Sequence, residues 1–170
     1  MLVKNKQSQA QGEIQLVAEW LQTLPAAWKT ITRVKVGAQM LSYAGRPLTA
    51  AQQRAFGVWS DYADARVATP TEIWIVEAKL VGLGTAYGQV LDYVDQYPLS
   101  ADYQQFKPLP VVPVVLTMAQ RPRTAALFAL QGVRTIVFEP SFPFSQALSR
   151  LFPAAQILST NPDNIPEVPV

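Results

Sequence analysis

The stretch EIWIVEAKL, residues 72–80, decides the fold of this chain. It is rich in β-branched residues and follows the turn-forming pair Pro70-Thr71, which predicts a strand. Side chains alternate between the two faces of a strand, so four of them share one face: Ile73, Ile75, Glu77 and Lys79. An otherwise apolar face therefore ends in a carboxylate and an amine. Burying such charges is costly unless they are paired or bind something.

The preceding segment, ADARVA at 63–68, predicts a partner strand. If the chain folds back at Pro70-Thr71, residues whose numbers sum to 141 face each other, so Glu77 faces Asp64. Like charges in that position destabilise a strand pair. A divalent cation held by the carboxylate oxygens would remove the conflict, with Lys79 beside it where a phosphate docks. The alternative is an exposed ion pair between Glu77 and Lys79, with Asp64 as a turn residue.

Downstream of this hairpin the pattern alternates between helix and strand. A helix through AYGQVLDYVDQY, residues 86–97, carries Gln89 and Tyr93 one turn apart on one face. The apolar segment 109–118 predicts a buried strand, and its prolines suggest a position near an edge or a bulge. The remaining elements are a helix at 124–132 closed by Gly132, a strand at 133–140 and a short helix at 144–152.

Upstream of the hairpin, residues 12–24 have helical apolar spacing that ends at Pro25. Residues 28–37 alternate β-branched and basic side chains, as a strand does, and residues 49–63 predict a further helix after a turn at 44–48. The element order is thus αβ(α)ββαβαβ. It predicts an α/β domain whose central mixed sheet is flanked by helices on both faces.

The predicted domain spans residues 12–158, between a polar arm at 1–11 and a proline-rich extended tail at 159–170. We expect the tail to lie against a neighbouring subunit or another protein, or else to fold back over its own sheet. The sequence shows no signal peptide and no apolar run long enough to span a membrane, which predicts a cytoplasmic protein.

The composition excludes several kinds of chemistry. The chain has no cysteine and no histidine, which rules out thiolate and imidazole metal sites and Ser-His-Asp triads. Any catalysis must use carboxylates, lysine or hydroxyl groups, and any metal should be a hard, oxygen-liganded ion. The net charge is +2, and residues 29–79 are basic with a few carboxylates. This segment suits a polyanionic substrate handled by a metal, or is an ordinary solvated surface.

These residues resemble the PD-(D/E)XK nuclease superfamily, which has the restriction-endonuclease-like fold. The order helix, strand, strand with Asp64, strand with Glu77-Ala78-Lys79, helix matches that family across roughly residues 12–140. Ala63 replaces the proline of the motif. Gln89-x-x-x-Tyr93 is similar to the QxxxY motif of the RecB-like exonuclease branch. The segments PLTAAQQRAF, VEAKL and GQVLDY, at 47–56, 76–80 and 88–93, also resemble small nuclease-like proteins of tailed bacteriophages.

The resemblance implies metal-dependent hydrolysis of phosphodiester bonds in DNA. Asp64, Glu77 and the backbone carbonyl of Ala78 would hold Mg²⁺ or Mn²⁺. Lys79 would position or activate the attacking water. A carboxylate of the first helix, Glu13 or alternatively Glu19, would face the site. Gln89 and Tyr93 would contact the substrate or orient the site.

Several alternatives stay open at this stage. The chain could be a structural or interaction protein on the same fold, for example a virion-associated phage component in which catalysis is secondary or lost. The 38–62 insertion and the tail could contact a second copy or phage structural proteins. DNA or RNA, endo- or exonuclease action, sequence preference and oligomeric state are not distinguished. No membrane partner is expected.

Overall fold

The computed structural model describes residues 2–37, 42–43, 46–47, 49–51, 61–80 and 83–141. The described helices are α1 (Leu2–Gln22), α2 (Leu83–Gln96) and α3 (Pro122–Leu130), with 3₁₀ turns at Tyr97–Leu99 and Ala101–Phe106. The helix expected at 144–152 and the tail at 159–170 lie outside the described residues. Most of the helix expected at 49–63 and of the 38–62 insertion does so too.

The described part of the chain contains two sheets. Their strands are β1 (Lys29–Lys35), β2 (Ser42–Tyr43), β3 (Arg46–Pro47), β4 (Tyr62–Ala68), β5 (Ile73–Ala78), β6 (Val111–Thr117) and β7 (Arg134–Val137). The larger sheet has the order β1-β4-β5-β6-β7, and β2 pairs only with β3. β4 is antiparallel to both β1 and β5, whereas β5, β6 and β7 run parallel. This confirms the predicted α/β architecture with a mixed sheet flanked by helices.

The β4–β5 hairpin has the predicted register. Its paired residues are Ala65 with Val76, Arg66 with Ile75, Val67 with Trp74 and Ala68 with Ile73, so every pair sums to 141. Thr69 fixes the turn because its hydroxyl accepts the N–H groups of Thr71 and Glu72 at 3.2 and 3.0 Å. The turn and the hydrophobic pattern thus favour the same register. A slip of one residue would move every side chain of a strand to the opposite face of the sheet.

The sheet buries apolar side chains on both faces. One face packs against α1 through Leu16, Val17 and Trp20, with Trp20 and Trp74 stacked at a centroid distance of 6.4 Å. The other face packs against α2 and the 3₁₀ turns, where Tyr97 is fully buried. The position of β5 between two packed layers explains why its run of Ile, Trp and Val is almost continuous.

The first helix is longer than the sequence predicted. We expected an arm at residues 1–11, but α1 begins at Leu2 and ends at Gln22. Residues 2–11 contain neither proline nor glycine and are rich in glutamine and lysine, which favour a helix even without an apolar face. Gly12 does not interrupt α1. None of the described helices has the length and apolar character needed to cross a membrane.

The prolines of residues 109–118 indicated a position near an edge or a bulge, and β6 lies next to the edge strand β7. β6 lies between β5 and β7, and Pro113 pairs with Ile75. In β6 the carbonyl of Leu116 accepts from Lys79 after β5, and that of Thr117 accepts from Phe138 after β7. This alternation points the nitrogen of Pro113 toward β7, which begins only opposite Val114. The missing N–H of proline therefore costs no ladder bond.

A buried ion pair ties the 3₁₀ turns to β4. Arg66 is 5% exposed, and its Nε lies 3.1 Å from Oδ2 of Asp102. The Arg66 guanidinium also donates to the carbonyl of Lys29 at 2.8 Å, and the Tyr97 hydroxyl donates to Asp102 at 2.6 Å. These bonds satisfy charges that would otherwise be costly to bury. They hold the segment after α2 against the strand that carries Asp64.

Candidate functional site

Asp64 and Glu77 lie together at one end of the β4–β5 hairpin. Oδ2 of Asp64 accepts the backbone N–H of Ala78 at 2.8 Å, which holds this carboxylate across the end of β5. Glu77 is only 3% exposed. Burial raises the pKa of Asp64, although the Ala78 N–H, the charge of Lys79 and a hydrogen bond from the Glu77 carboxyl act to lower it. The hairpin therefore brings the two carboxyl groups side by side, with Asp64 half-buried and Glu77 buried.

The Glu77 carboxyl is the most perturbed group of the pair. Burial, then the neighbouring charge of Asp64, raises the pKa of Glu77 from 4.5 to about 7, against the lowering effect of Lys79. Two adjacent carboxylates in a low-dielectric site cannot both ionise without a cost. Strong perturbation of this kind, caused by burial and a specific charged partner, is typical of functional sites.

Lys79 joins these carboxylates to the first helix. Its Nζ lies 2.9 Å from Oε1 of Glu77 and 3.5 Å from Oε2 of Glu13. Burial acts to lower the pKa of Lys79, but the hydrogen bond to Glu77 and the charges of Glu77 and Glu13 outweigh it and raise that pKa. Lys79 is therefore a cation at neutral pH and lies between carboxylates of α1 and β5.

The two candidate carboxylates of the first helix have different surroundings. Glu13 reaches Lys79, whereas Oε2 of Glu19 accepts from the N–H and the hydroxyl of Ser141 at 2.7 and 2.9 Å. The Ser141 N–H bond comes first among the interactions that lower the pKa of Glu19. The structure thus brings Glu13, and not Glu19, to the candidate site.

Gln89 and Tyr93 project from α2 beside the same end of the hairpin. Nε2 of Gln89 lies 3.4 Å from the Tyr93 hydroxyl. Burial, followed by the charges of Glu77, Asp61 and Asp64, raises the pKa of Tyr93 to about 12. Within the described part of the chain, Oε1 of Gln89 is buried without a hydrogen-bond partner. A buried acceptor left unbonded is costly, and a ligand with a donor would relieve that cost.

The oxygen donors fit a hard divalent cation. Asp64 and Glu77 each have a second carboxylate oxygen besides the one bonded to Ala78 or Lys79. A cation would also remove the repulsion that raises the pKa of Glu77. Across residues 2–37, 61–80 and 83–141, no three acidic side chains are gathered closely enough to hold an ion by themselves. Mg²⁺ commonly uses only one or two carboxylates and retains several waters.

Arg33 is a residue near the site that the sequence did not indicate. Paired residues of β1 and β4 have numbers that sum to 97, which puts Arg33 opposite Asp64. The ladder skips this position, although Thr32–Ala65 and Val34–Ala63 pair on either side of it. Arg33 has a φ of 51°, in the left-handed region. Only a glycine or asparagine would have signalled such a conformation in the sequence, so this feature could not have been predicted.

The raised pKa of Glu77 predicts a pH dependence of stability. In EDTA, the free energy of unfolding should fall by on the order of 3 kcal/mol as pH rises from 4.5 through about 7, because the folded state binds a proton that the unfolded state has lost. The stabilisation is complete below pH 4.5 and is lost above pH 7. Urea unfolding between about pH 5 and pH 8 measures it.

The control for this pH dependence is the Glu77→Gln variant, in which the slope over the same pH range should become markedly smaller. Mg²⁺ should stabilise the wild-type protein more at about pH 8 than at pH 5, because protons compete with the ion at the lower pH. A wild-type profile that is flat or rises over this range would contradict the arrangement of the two carboxyl groups.

Comparison of the chain with protein-family models found no match, and comparisons with curated proteins and with solved structures found none either.

Proposed function

We propose that this protein is a Mg²⁺- or Mn²⁺-dependent nuclease of the PD-(D/E)XK type that hydrolyses phosphodiester bonds of DNA. The observation that carries the proposal is the placement of the half-buried Asp64 beside the buried Glu77 at the end of the hairpin, with Lys79 at 2.9 Å from Glu77. Such an arrangement is costly to fold. A nuclease site would use all three charges, because the two carboxylates would bind a metal cation and the Lys79 ammonium would bind the phosphate.

The element order around the site supports the same proposal. A helix with Glu13 precedes a strand, a strand with Asp64, a strand with Glu77 and Lys79, and a helix with Gln89 and Tyr93. This is the order on which the resemblance to the PD-(D/E)XK superfamily rests. The chemistry needs no histidine or cysteine, and the chain has neither.

The side chains have distinct roles in this proposal. Asp64, Glu77 and the backbone carbonyl of Ala78 would hold the cation. When bound, Mg²⁺ or Mn²⁺ supplies a water of lowered pKa and neutralises charge on the scissile phosphate. The Lys79 ammonium would orient the attacking water and stabilise negative charge that develops on the phosphate oxygens.

Residues on the two helices would complete the site. Glu13 would hold Lys79 in place through the contact at 3.5 Å and reach the cation through water. The unbonded Oε1 of Gln89 would accept a hydrogen bond from the substrate or from a bound water. Because the raised pKa of Tyr93 keeps its phenol protonated, this hydroxyl would act as a donor to phosphate oxygens.

Incubation of the pure protein with linear and circular DNA tests the proposal, with Mg²⁺, Mn²⁺ or EDTA in parallel reactions. We expect cleavage with either metal and none in EDTA. Cleavage of circular DNA would identify an endonuclease, whereas loss of the linear form alone would identify an exonuclease. An absence of cleavage of both substrates with both metals, at protein concentrations that bind DNA, would overturn the proposal.

A second candidate function is an interaction protein on the same fold, for example a phage virion or assembly component. It is favoured by the ammonium of Lys79, which already forms ion pairs with Glu77 and Glu13 without any metal. In this case Mg²⁺ should leave the melting temperature unchanged, because no differential binding to the folded state exists. The DNA reactions described above should then show no cleavage.

A further inference from the structure

The β1 strand departs from regular geometry next to the candidate site. By residue number Arg33 falls opposite Asp64, but the β1–β4 register skips this position; Arg33 has a φ of 51°, and the ladder resumes on both sides of it. A non-glycine residue in this region is uncommon and is tolerated where the surroundings fix it. The Arg33 guanidinium lies over the Tyr62 ring, with its Cζ 5.4 Å from the ring centroid. This contact fixes a cationic side chain on the strand beside Asp64.

A basic pocket lies alongside this part of β1. It has a volume of about 180 Å³ and is lined by β1 and the start of the second 3₁₀ turn, including Arg33, Lys35, Ser100 and Asp102. The acidic Asp102 does not make the pocket negative, because Arg66 contacts both of its carboxylate oxygens at 3.1 and 3.4 Å. Arg33 is exposed and Lys35 half-buried. The charge of the pocket is therefore set by these two residues.

We infer that Arg33 and Lys35 bind a backbone phosphate of the DNA substrate next to the one that is cut. This inference rests on the proposed nuclease function, because it assigns the phosphate contact to the site that contains Asp64. Neighbouring β-strands are about 5 Å apart. Arg33 on β1 is therefore within reach of a DNA strand whose scissile phosphate lies at β4 and β5. Arg33 is a phosphate-binding residue here and takes no part in proton transfer.

Four variants test the inference by fluorescence anisotropy with a short DNA duplex: Arg33→Gly, Arg33→Lys, Lys35→Gln and Lys107→Gln. All are measured in EDTA, where no metal-dependent cleavage occurs. Arg33→Gly removes the guanidinium and suits a φ of 51°, so the melting temperature should stay within a few degrees of the wild type. Arg33→Lys keeps the charge. Lys107→Gln is the matched control, because Lys107 is exposed and precedes β6, at the end of the sheet away from Glu77.

We expect Arg33→Gly to weaken DNA binding about tenfold at moderate salt and to reduce the slope of log K against log salt by about 1. Lys35→Gln should do the same. Arg33→Lys should keep the wild-type slope, and Lys107→Gln should bind as the wild type does.

Wild-type binding and slope in Arg33→Gly would overturn this inference and leave the nuclease proposal intact if Mg²⁺-dependent cleavage persists. An equal loss in Lys107→Gln would overturn it too, since binding would then depend on net charge alone. Failure of the wild-type protein to bind DNA in EDTA and with Mg²⁺ would overturn both proposals.

Discussion

Glu77→Gln is expected to lower Mg²⁺-dependent DNA cleavage by on the order of a thousandfold or more, without loss of fold. Glutamine has the shape of glutamate but offers the cation one neutral oxygen in place of a carboxylate. The substitution also weakens the contact at 2.9 Å that orients the Lys79 ammonium, because the amide oxygen of glutamine can accept a hydrogen bond but carries no net charge. Initial rates of DNA cleavage, measured over a range of Mg²⁺ concentrations, test the expected loss.

The same variant should be at least as stable as the wild type at about pH 8. There the ionised Glu77 is buried beside Asp64, and its raised pKa shows that ionisation opposes folding. Urea unfolding checks this part of the prediction. The matched control is Glu72→Gln near the other end of the strand, which weakens the contacts of Glu72 with Arg134 and Trp74, both at 2.6 Å, and should cleave normally. Wild-type cleavage by Glu77→Gln would place the active site elsewhere.

Lys79→Met is expected to lower cleavage by on the order of a hundredfold or more and to destabilise the protein by about 2 kcal/mol at pH 8 without metal. Methionine keeps the length of the side chain but leaves the Glu77 and Glu13 carboxylates without their shared cation. Breaking such a partly buried ion pair from one side is costly, because the remaining charges stay in place. Cleavage assays and urea unfolding measure the two effects.

The Mg²⁺ dependence of unfolding separates a metal site from a structural ion pair in Lys79→Met. If Asp64 and Glu77 hold the ion, Mg²⁺ should raise the melting temperature of this variant more than that of the wild type, because the bound ion replaces the lost ammonium charge. Lys107→Met is the control, since that lysine lies on the surface and should leave both properties unchanged. Normal cleavage by Lys79→Met would contradict the assigned role.

The hairpin that builds the site could be predicted from the sequence because several local signals agree there. Pro70-Thr71 gives the turn, the apolar run at 73–76 gives the strand, and the period of two then fixes which residues face each other. The placement of Asp64 opposite Glu77 follows from that register. A local structure can be predicted from the sequence when the turn residues and the hydrophobic pattern agree in this way.

The first helix could be predicted in kind but not in extent or in its site residue. Its amino-terminal half has no apolar periodicity, so the pattern indicated a start at Gly12 rather than Leu2. Glu13 and Glu19 could not be distinguished, since their surroundings depend on residues far along the chain. Ser141, which binds Glu19, lies 122 residues away.

The conformation of Arg33 and the buried contact of Arg66 with Asp102 were not predicted. An arginine facing Ile75 in an apolar hairpin was a signal that a buried acceptor must exist. The sequence did not identify Asp102 as that acceptor, because it lies 36 residues away in a 3₁₀ turn. Contacts between distant segments depend on the packing of the whole chain, which local patterns do not encode.

The two pairings of β5 differ in the length of chain that must close to form them. β4 and β5 are joined by residues 69–72, whereas β5 reaches β6 only after residues 79–110, which include α2. Short loops close sooner because less chain entropy is lost, and parallel pairing requires the longer crossover. We therefore expect Asp64 and Glu77 to meet early in folding, while the hairpin is still open to water. Their repulsion is weak at that stage and grows only as α2 docks and excludes solvent. The free-energy cost of bringing the two carboxylates together thus arises mainly in the late burial step and not when the strands pair.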